Sequence, residues 1–300
     1  MKLTAVQQAV WRAIARALLG LCVLLCAGCE QVFVPLRQAP APERSGGDLS
    51  SLLRMTVGWG AEPLAEDLLA AYASYRPGVR VQPNTMSNAS ALQALGSGAA
   101  DVAFVAAKDD ERLLELVRTV TGSSAAAVQH VAIAQDGVAL VVPRRSDLSQ
   151  IDIQGLRELF SGEITDWSAL DCEGGLPLAL VQTTGSTARQ VFDEAVMDGE
   201  DVWSSVLVLP NDAGILDRVV LEPQSVGYAG AASVSGRDVR VVAVDRMLPT
   251  TESLERGDYP LAYRLYAVWR ADGGDLAGEL VAFALNTRGH KAIQRRYALP

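Results

Sequence analysis

From Met55 onward, short apolar runs alternate with longer segments whose apolar residues recur every three or four positions. Met55–Trp59 reads as a strand. Pro63–Tyr75 reads as a helix, with proline in its first turn and Leu64, Leu68, Leu69 and Tyr72 along one side. Val79–Pro83 predicts a second strand, Asn88–Leu95 a second helix capped by Asn88, and Asp101–Ala106 a third strand. This β-α-β-α-β succession predicts a parallel sheet with right-handed crossovers. Val128–Val142 is a long β-rich stretch broken by Asp136-Gly137 and suited to crossing from one part of the fold to another. A short helix over Ile153–Phe160, a strand over Leu178–Gln182 and helices over Thr187–Met197 and Asp212–Leu221 follow. Ser225–Ala229 reads as a strand that carries the chain back. Val239–Val244 and Leu261–Trp269 are further strands, and Asp275–Asn286 and Arg288–Tyr297 are closing helices.

The first 51 residues have a different texture. Lys2, Arg12 and Arg16 supply positive charge at the N-terminus, and Ala13–Leu25 supply an apolar stretch that is short for a membrane span. Small residues then lead to Cys29 in the run Leu24-Leu25-Cys26-Ala27-Gly28-Cys29. This resembles a bacterial lipoprotein signal, cleaved before Cys29 and lipidated on its sulfur, although Cys26 stands where leucine is usual. The expectation is a signal over 1–28 and an extracytoplasmic protein tied to a membrane; an ordinary secretory signal or an N-terminal membrane anchor is the alternative, and either also places the folded part outside the cytoplasm. Residues 29–51 contain Pro35, Pro40, Pro42, Gly46 and Gly47 with little periodicity, the composition of a flexible tether.

Composition narrows the function classes. A net charge of -9 over 300 residues argues against a nucleic-acid partner, which needs a basic face. It does not exclude a small anion, which is held by local dipoles and donors. Of the four cysteines, Cys22 and Cys26 lie in the leader and Cys29 at its cleavage point, leaving Cys172 alone in the body of the chain. A nucleophilic Cys172 would need a basic partner, and neither His130 nor His290 has a catalytic context. Asp109, Asp110 and Glu111 are adjacent carboxylates explained by the dipole of a helix start. No enzyme, metal site or cofactor is expected.

Candidate chemistry lies where strands lead into helices. Gly58-Trp59-Gly60-Ala61-Glu62, Ser87-Asn88-Ala89-Ser90 and Thr183-Thr184-Gly185-Ser186-Thr187 occupy such positions, and all are small, polar or glycine-bearing. Backbone donors at helix starts attract oxyanions. The same residues also serve as plain caps, and the sequence leaves both roles open. Arg189, in the first turn of its helix, either faces an anion at Ser186 or pairs with Asp193 four residues on.

Several segments together resemble a family. Leu159–Ser168 is similar to the Gly-x-Ile-x-x-Trp segment of phosphate ABC-transporter substrate-binding proteins, and Gly185–Phe192 to their Gly-Ser-Gly-Thr-Arg-x-x-Phe loop. Ala134–Val142 resembles their Asp-Gly crossover strand, and Gly98–Asp101 the entry to their third strand. Ser225–Tyr228 and Tyr259–Tyr266 resemble their return strand and Tyr-Pro-Leu segment. The resemblance implies an α/β, two-lobed periplasmic-binding-protein-like fold of type II, with mixed sheets flanked by helices and two hinge crossovers. One lobe would be 52–135 plus 226–300, and the other 136–225. It implies a monomer that binds a small anion, phosphate by default, in a cleft and delivers it to an ABC permease. The site carried over is Gly60, Ala61, Asn88, Ser90, Gln182, Thr184, Gly185, Ser186, Thr187 and Arg189.

The departures from the family bear on the ligand. Gln182 stands where the family places an arginine, Ala106 where it often places an aspartate, and Asn88 where it has serine. Ala61-Glu62 replaces a common hydroxyl, and Thr187 and Ala188 replace glycine and threonine. A hydrogen bond to a charged partner contributes roughly 1.5–3 kcal/mol. Losing one arginine contact therefore weakens binding by about ten- to a hundredfold. The alternative is a lipoprotein of the same fold that senses, scaffolds or takes a different small ligand.

Overall fold

A computed structural model describes residues 52–122, 128–271 and 274–300. The expected signal, the lipid-bearing Cys29 and the tether through residue 51 lie outside the described residues. The elements follow the predicted order: β1 (Leu52–Gly58), α1 (Glu62–Tyr75), β2 (Arg80–Met86), α2 (Asn88–Gly96), β3 (Val102–Ala107) and α3 (Asp110–Thr121). Then come β4 (Val128–Pro143), β5 (Gln150–Ile151), α4 (Ile153–Ser161), β6 (Leu178–Gln182), α5 (Thr187–Phe192), β7 (Leu207–Leu209) and α6 (Asp212–Leu221). The chain closes with β8 (Ser225–Gly230), α7 (Ala231–Val234), β9 (Val239–Val244), α8 (Thr251–Glu255), β10 (Ala262–Arg270), α9 (Asp275–Ala284) and α10 (Thr287–Ile293).

The sheet runs β2-β1-β3-β10-β4-β8-β6-β7, with β9 on β4 and β5. The first three strands are parallel, as their crossovers predict, but β10 enters antiparallel between β3 and β4, so the sheet is mixed. Every residue of β3 is buried. Val102, Phe104 and Ala106 face the main core, and Ala103, Val105 and Ala107 face a second core shared with Leu92, Leu95, Leu113 and Val117. Burial on both faces is why this strand is an unbroken apolar run. At the edge, β2 is largely exposed and carries Pro83, which an edge strand tolerates.

β4 spans both halves of the sheet. Residues Val128–Gly137 pair with β10, and from Val138 onward β4 pairs with β8 and β9. The Asp136-Gly137 pair does not break the strand; its partners change there. The segment expected to carry the chain back, Ser225–Ala229, pairs with β4 and β6 in the second half of the sheet. The chain re-enters the first half with β10, because β9 also pairs with the end of β4.

Two local expectations are corrected. The cap of α2 is Ser87, whose hydroxyl accepts from Ser90 N at 3.2 Å; Asn88 is the first helical residue. The helix expected to run to Met197 is α-helical to Phe192 and continues as a π-helical turn over Asp193–Met197.

Candidate anion-binding site

Parallel pairing fixes the first two loops side by side. Gly58 is in register with Met86, and Trp59 N donates to Met86 O at 3.0 Å, so the turn after β1 and the start of α2 leave the sheet together. The third loop follows β6, whose exit is held by Thr183 N donating to Leu209 O at 3.0 Å. All three loops meet at Thr187. An added side-chain carbon on Gly60 would stand 3.9 Å from Thr187 Cβ, and one on Gly185 would stand 3.2 Å from the Trp59 ring.

Asn88 is the hub. Its Nδ2 donates to Ala106 O at 3.1 Å and to Thr187 Oγ1 at 2.6 Å, and its Oδ1 accepts from Ala106 N at 3.3 Å. Thr187 Oγ1 in turn donates to Ala106 O at 3.3 Å and lies 3.5 Å from Trp59 O. Asn88 and Thr187 are 3% and 2% exposed, so this network replaces water for both side chains. Gly58 is required for it, since a methyl group there would fall 1.8 Å from Asn88 Oδ1.

The other expected residues divide. Ser186 is buried and caps α5, accepting from Arg189 N at 3.1 Å. Arg189 turns to Asp193: its Nε lies 2.7 Å from both carboxylate oxygens, and its Nη1 donates to Gln182 O at 3.3 Å. Burial pushes the Asp193 carboxyl up, against the lowering effect of Arg189. Gln182 is buried and donates through Nε2 to Asp212 Oδ1 at 2.6 Å and to Tyr228 O at 3.3 Å. Ala61 is fully buried and Gly60 adopts φ +92°. Ser90 and Thr184 are exposed; Ser90 Oγ accepts from Ser87 Oγ at 2.9 Å.

Carboxylates enter from three elements. Glu62, at the start of α1, accepts from Gly60 N at 2.6 Å through Oε2. Burial pushes its carboxyl up, its own amide and that of Gly60 pull it down, and the charge of Asp212 raises it further. Asp212, at the start of α6, also accepts from Ser233 Oγ at 2.8 Å. Asp136 is 2% exposed in β4 and accepts from Gly137 N at 2.8 Å, Ala232 N at 3.2 Å and Tyr263 Oη at 2.9 Å. Burial outweighs those donors and pushes its carboxyl up to about 7.

A cavity of about 240 Å³ opens beside Thr187, lined by Ala106, Lys108, Arg112, Gln190 and Glu194. A larger hollow of about 730 Å³, near Arg144, Trp167 and Gln224, contains none of the three loops and is set apart from this chemistry. Cys172 is half-buried, with Sγ 3.4 Å from Leu170 O, and burial raises its thiol. Among the described residues no group of three or more His, Cys, Asp or Glu side chains is placed to hold a metal ion.

Sequence reasoning missed the roles of Asp212, Asp136, Tyr263 and Ser233. Asp212 looks like an ordinary first-turn acid. Asp136 carried a usable signal, because an aspartate inside a long apolar strand must be paired or neutral once buried.

Comparison with solved structures places the fold. A Clostridium perfringens protein described as a phosphate ABC transporter substrate-binding protein, solved with bound phosphate, superposes with a TM-score of 0.74 at 18% identity. The match covers 83% of this chain and 99% of that one. An ABC-type phosphate transport receptor from Vibrio cholerae gives 0.66 at 19% identity, covering 82% and 99%. Among sequence relatives, the phosphate-binding protein PstS 2 of Streptococcus pneumoniae is 27% identical over 128 residues, 43% of this chain and 40% of that relative's length. The phosphate-binding protein PstS of Bacillus subtilis is 19% identical over 173 residues, 57% of each chain. A family model for the PBP superfamily domain matches residues 42–288, and the chain belongs to that superfamily.

Proposed function

We propose that this protein is an extracytoplasmic solute-binding protein, held to the membrane by lipid on Cys29, that captures a small anion for an ABC importer. Phosphate is the first candidate, because the relatives named above are phosphate-binding proteins by description. The observation that carries the reading is the 2.6 Å bond between Asn88 and Thr187, which joins the helix starts of two separate sheet segments at one point. In this reading the ligand enters a cleft between two lobes. The outward crossing falls at Gly137/Val138, where β4 changes partners, and the return lies between β9 and β10. Gly60, Ala61, Ser186 and Thr187 would line the anion's side, with Gln182 and Arg189 behind them.

A second reading keeps the fold and changes the ligand or the task to sensing or scaffolding. It is favoured by the partners already in place: Arg189 on Asp193, Gln182 on Asp212 and Glu62 on Gly60 N. Titration calorimetry with phosphate, sulfate, molybdate and small carboxylates separates the two. Heat with phosphate alone supports the first reading, and a silent panel supports the second. Incorporation of labelled fatty acid tests the anchor, with label expected in the native protein and lost in Cys29→Ala.

A further inference from the structure

The amides of the first loop are not equivalent. Trp59 N is held by Met86 O and Ala61 N by Gly58 O, each at 3.0 Å, and Pro63 has no N–H to offer. Gly60 N is held by a side chain, the Glu62 carboxylate at 2.6 Å. A backbone carbonyl cannot leave without unfolding the turn, whereas a carboxylate leaves by rotating about its side-chain bonds. Gly60 adjoins Thr187, so this exchangeable amide borders the Asn88–Thr187 cluster.

Among the described residues, the charge that acts on Glu62 raises its carboxyl rather than lowering it. The charged group facing it is Asp212, from α6, whose two oxygens are occupied by Gln182 Nε2 and Ser233 Oγ. Arg189 is engaged by Asp193. An entering oxyanion would meet Glu62 on the amide it needs and Asp212 beyond.

We propose that Glu62 is the specificity-determining residue of the site: an internal carboxylate that occupies the Gly60 amide and must be displaced or protonated before an external anion can bind. The proposal rests on the anion-binding reading above. It makes the site weak for anions of high charge at alkaline pH and stronger as the carboxylate takes up a proton.

The test compares inorganic phosphate binding to the native protein, Glu62→Ser and Glu62→Gln by calorimetry from pH 5 to 8, with folding checked by circular dichroism. The ratio of affinities is the readout, because the ionisation of phosphate itself is common to all three proteins. At pH 8 both variants are expected to bind about tenfold tighter than the native protein, an advantage that shrinks toward pH 5. Equal affinities across the range overturn the role of Glu62 and leave the anion site standing. Silence in all three folded proteins, with phosphate, sulfate, molybdate and carboxylates alike, overturns both. An NMR titration supplies a ligand-free arm. The Gly60 amide resonance is expected to follow the Glu62 titration in the native protein and to lose that response in Glu62→Gln; a native resonance indifferent to pH overturns the proposal.

Discussion

Asn88 and Thr187, 99 residues apart in sequence, share a 2.6 Å hydrogen bond that also ties both side chains to the backbone of Ala106. The bond connects the start of α2, which packs on the first half of the sheet, to the start of α5, which packs on the second. Its strength is therefore a measure of how firmly these elements are held together.

Thr187→Val keeps the shape of the side chain and removes the hydroxyl, leaving Asn88 Nδ2 and Ala106 O each short of a partner. A loss of about 1–3 kcal/mol in urea denaturation is expected. Asn88→Ala should cost a comparable amount, and the double variant should cost less than the sum of the two. Strict additivity would mean that the two side chains do not act on each other.

Gly58→Ala places a methyl group against Asn88 Oδ1 and Cγ. Overpacking of this kind costs about 1–3 kcal/mol. The combination with Asn88→Ala, which removes those atoms, should recover part of the loss. If denaturation finds Gly58→Ala as stable as the native protein, Asn88 is not packed on Gly58.

The Asp136 carboxyl, raised to about 7 in the folded chain, gives a pH dependence of definite sign. Between the ordinary carboxylate range and 7 the folded state binds more protons than the unfolded state, so stability falls as pH rises through that window. The contribution of this one group is at most about 1.4 kcal/mol per pH unit. Asp136→Asn should flatten that part of the curve in thermal melts between pH 5 and 8. An unchanged slope would place the titration elsewhere.

Arg189 is neutralised by Asp193 in a pair only partly open to solvent. Asp193→Asn keeps the size of the side chain and removes the competing charge. If Arg189 then turns toward the Ser186 loop, phosphate binding should tighten by about tenfold, the low end of one charge-assisted hydrogen bond. Calorimetry at low salt is the measurement. No change would mean that Arg189 cannot reach the ligand.

Much of this architecture is legible in the sequence because burial writes it there. Leu178–Gln182 and Val239–Val244 are strands with the bounds that their apolar runs predict. The cap of α2 was not legible. Ser87 and Asn88 are adjacent and equally suited to capping, and the choice falls to Asn88's tertiary role, since only its amide answers both N and O of Ala106. The two readings of Arg189 were separable only by geometry, because the i,i+4 spacing to Asp193 suits a salt bridge whatever the loop holds. Glu62 and Asp212 look like first-turn acids from sequence. Their opposition depends on the fold bringing the start of α1 within electrostatic reach of Asp212, which no local pattern encodes.

The handover of partners along β4 has a mechanical meaning. One continuous strand acts as an axle through both parts of the sheet, so a change in their mutual angle would bring torsion near residues 136–138 as well as along the link between β9 and β10. A buried acid stands at that point, held by Ala232 N and the Tyr263 hydroxyl. Twisting the axle would strain those bonds, which converge on a carboxyl that burial raises to about 7.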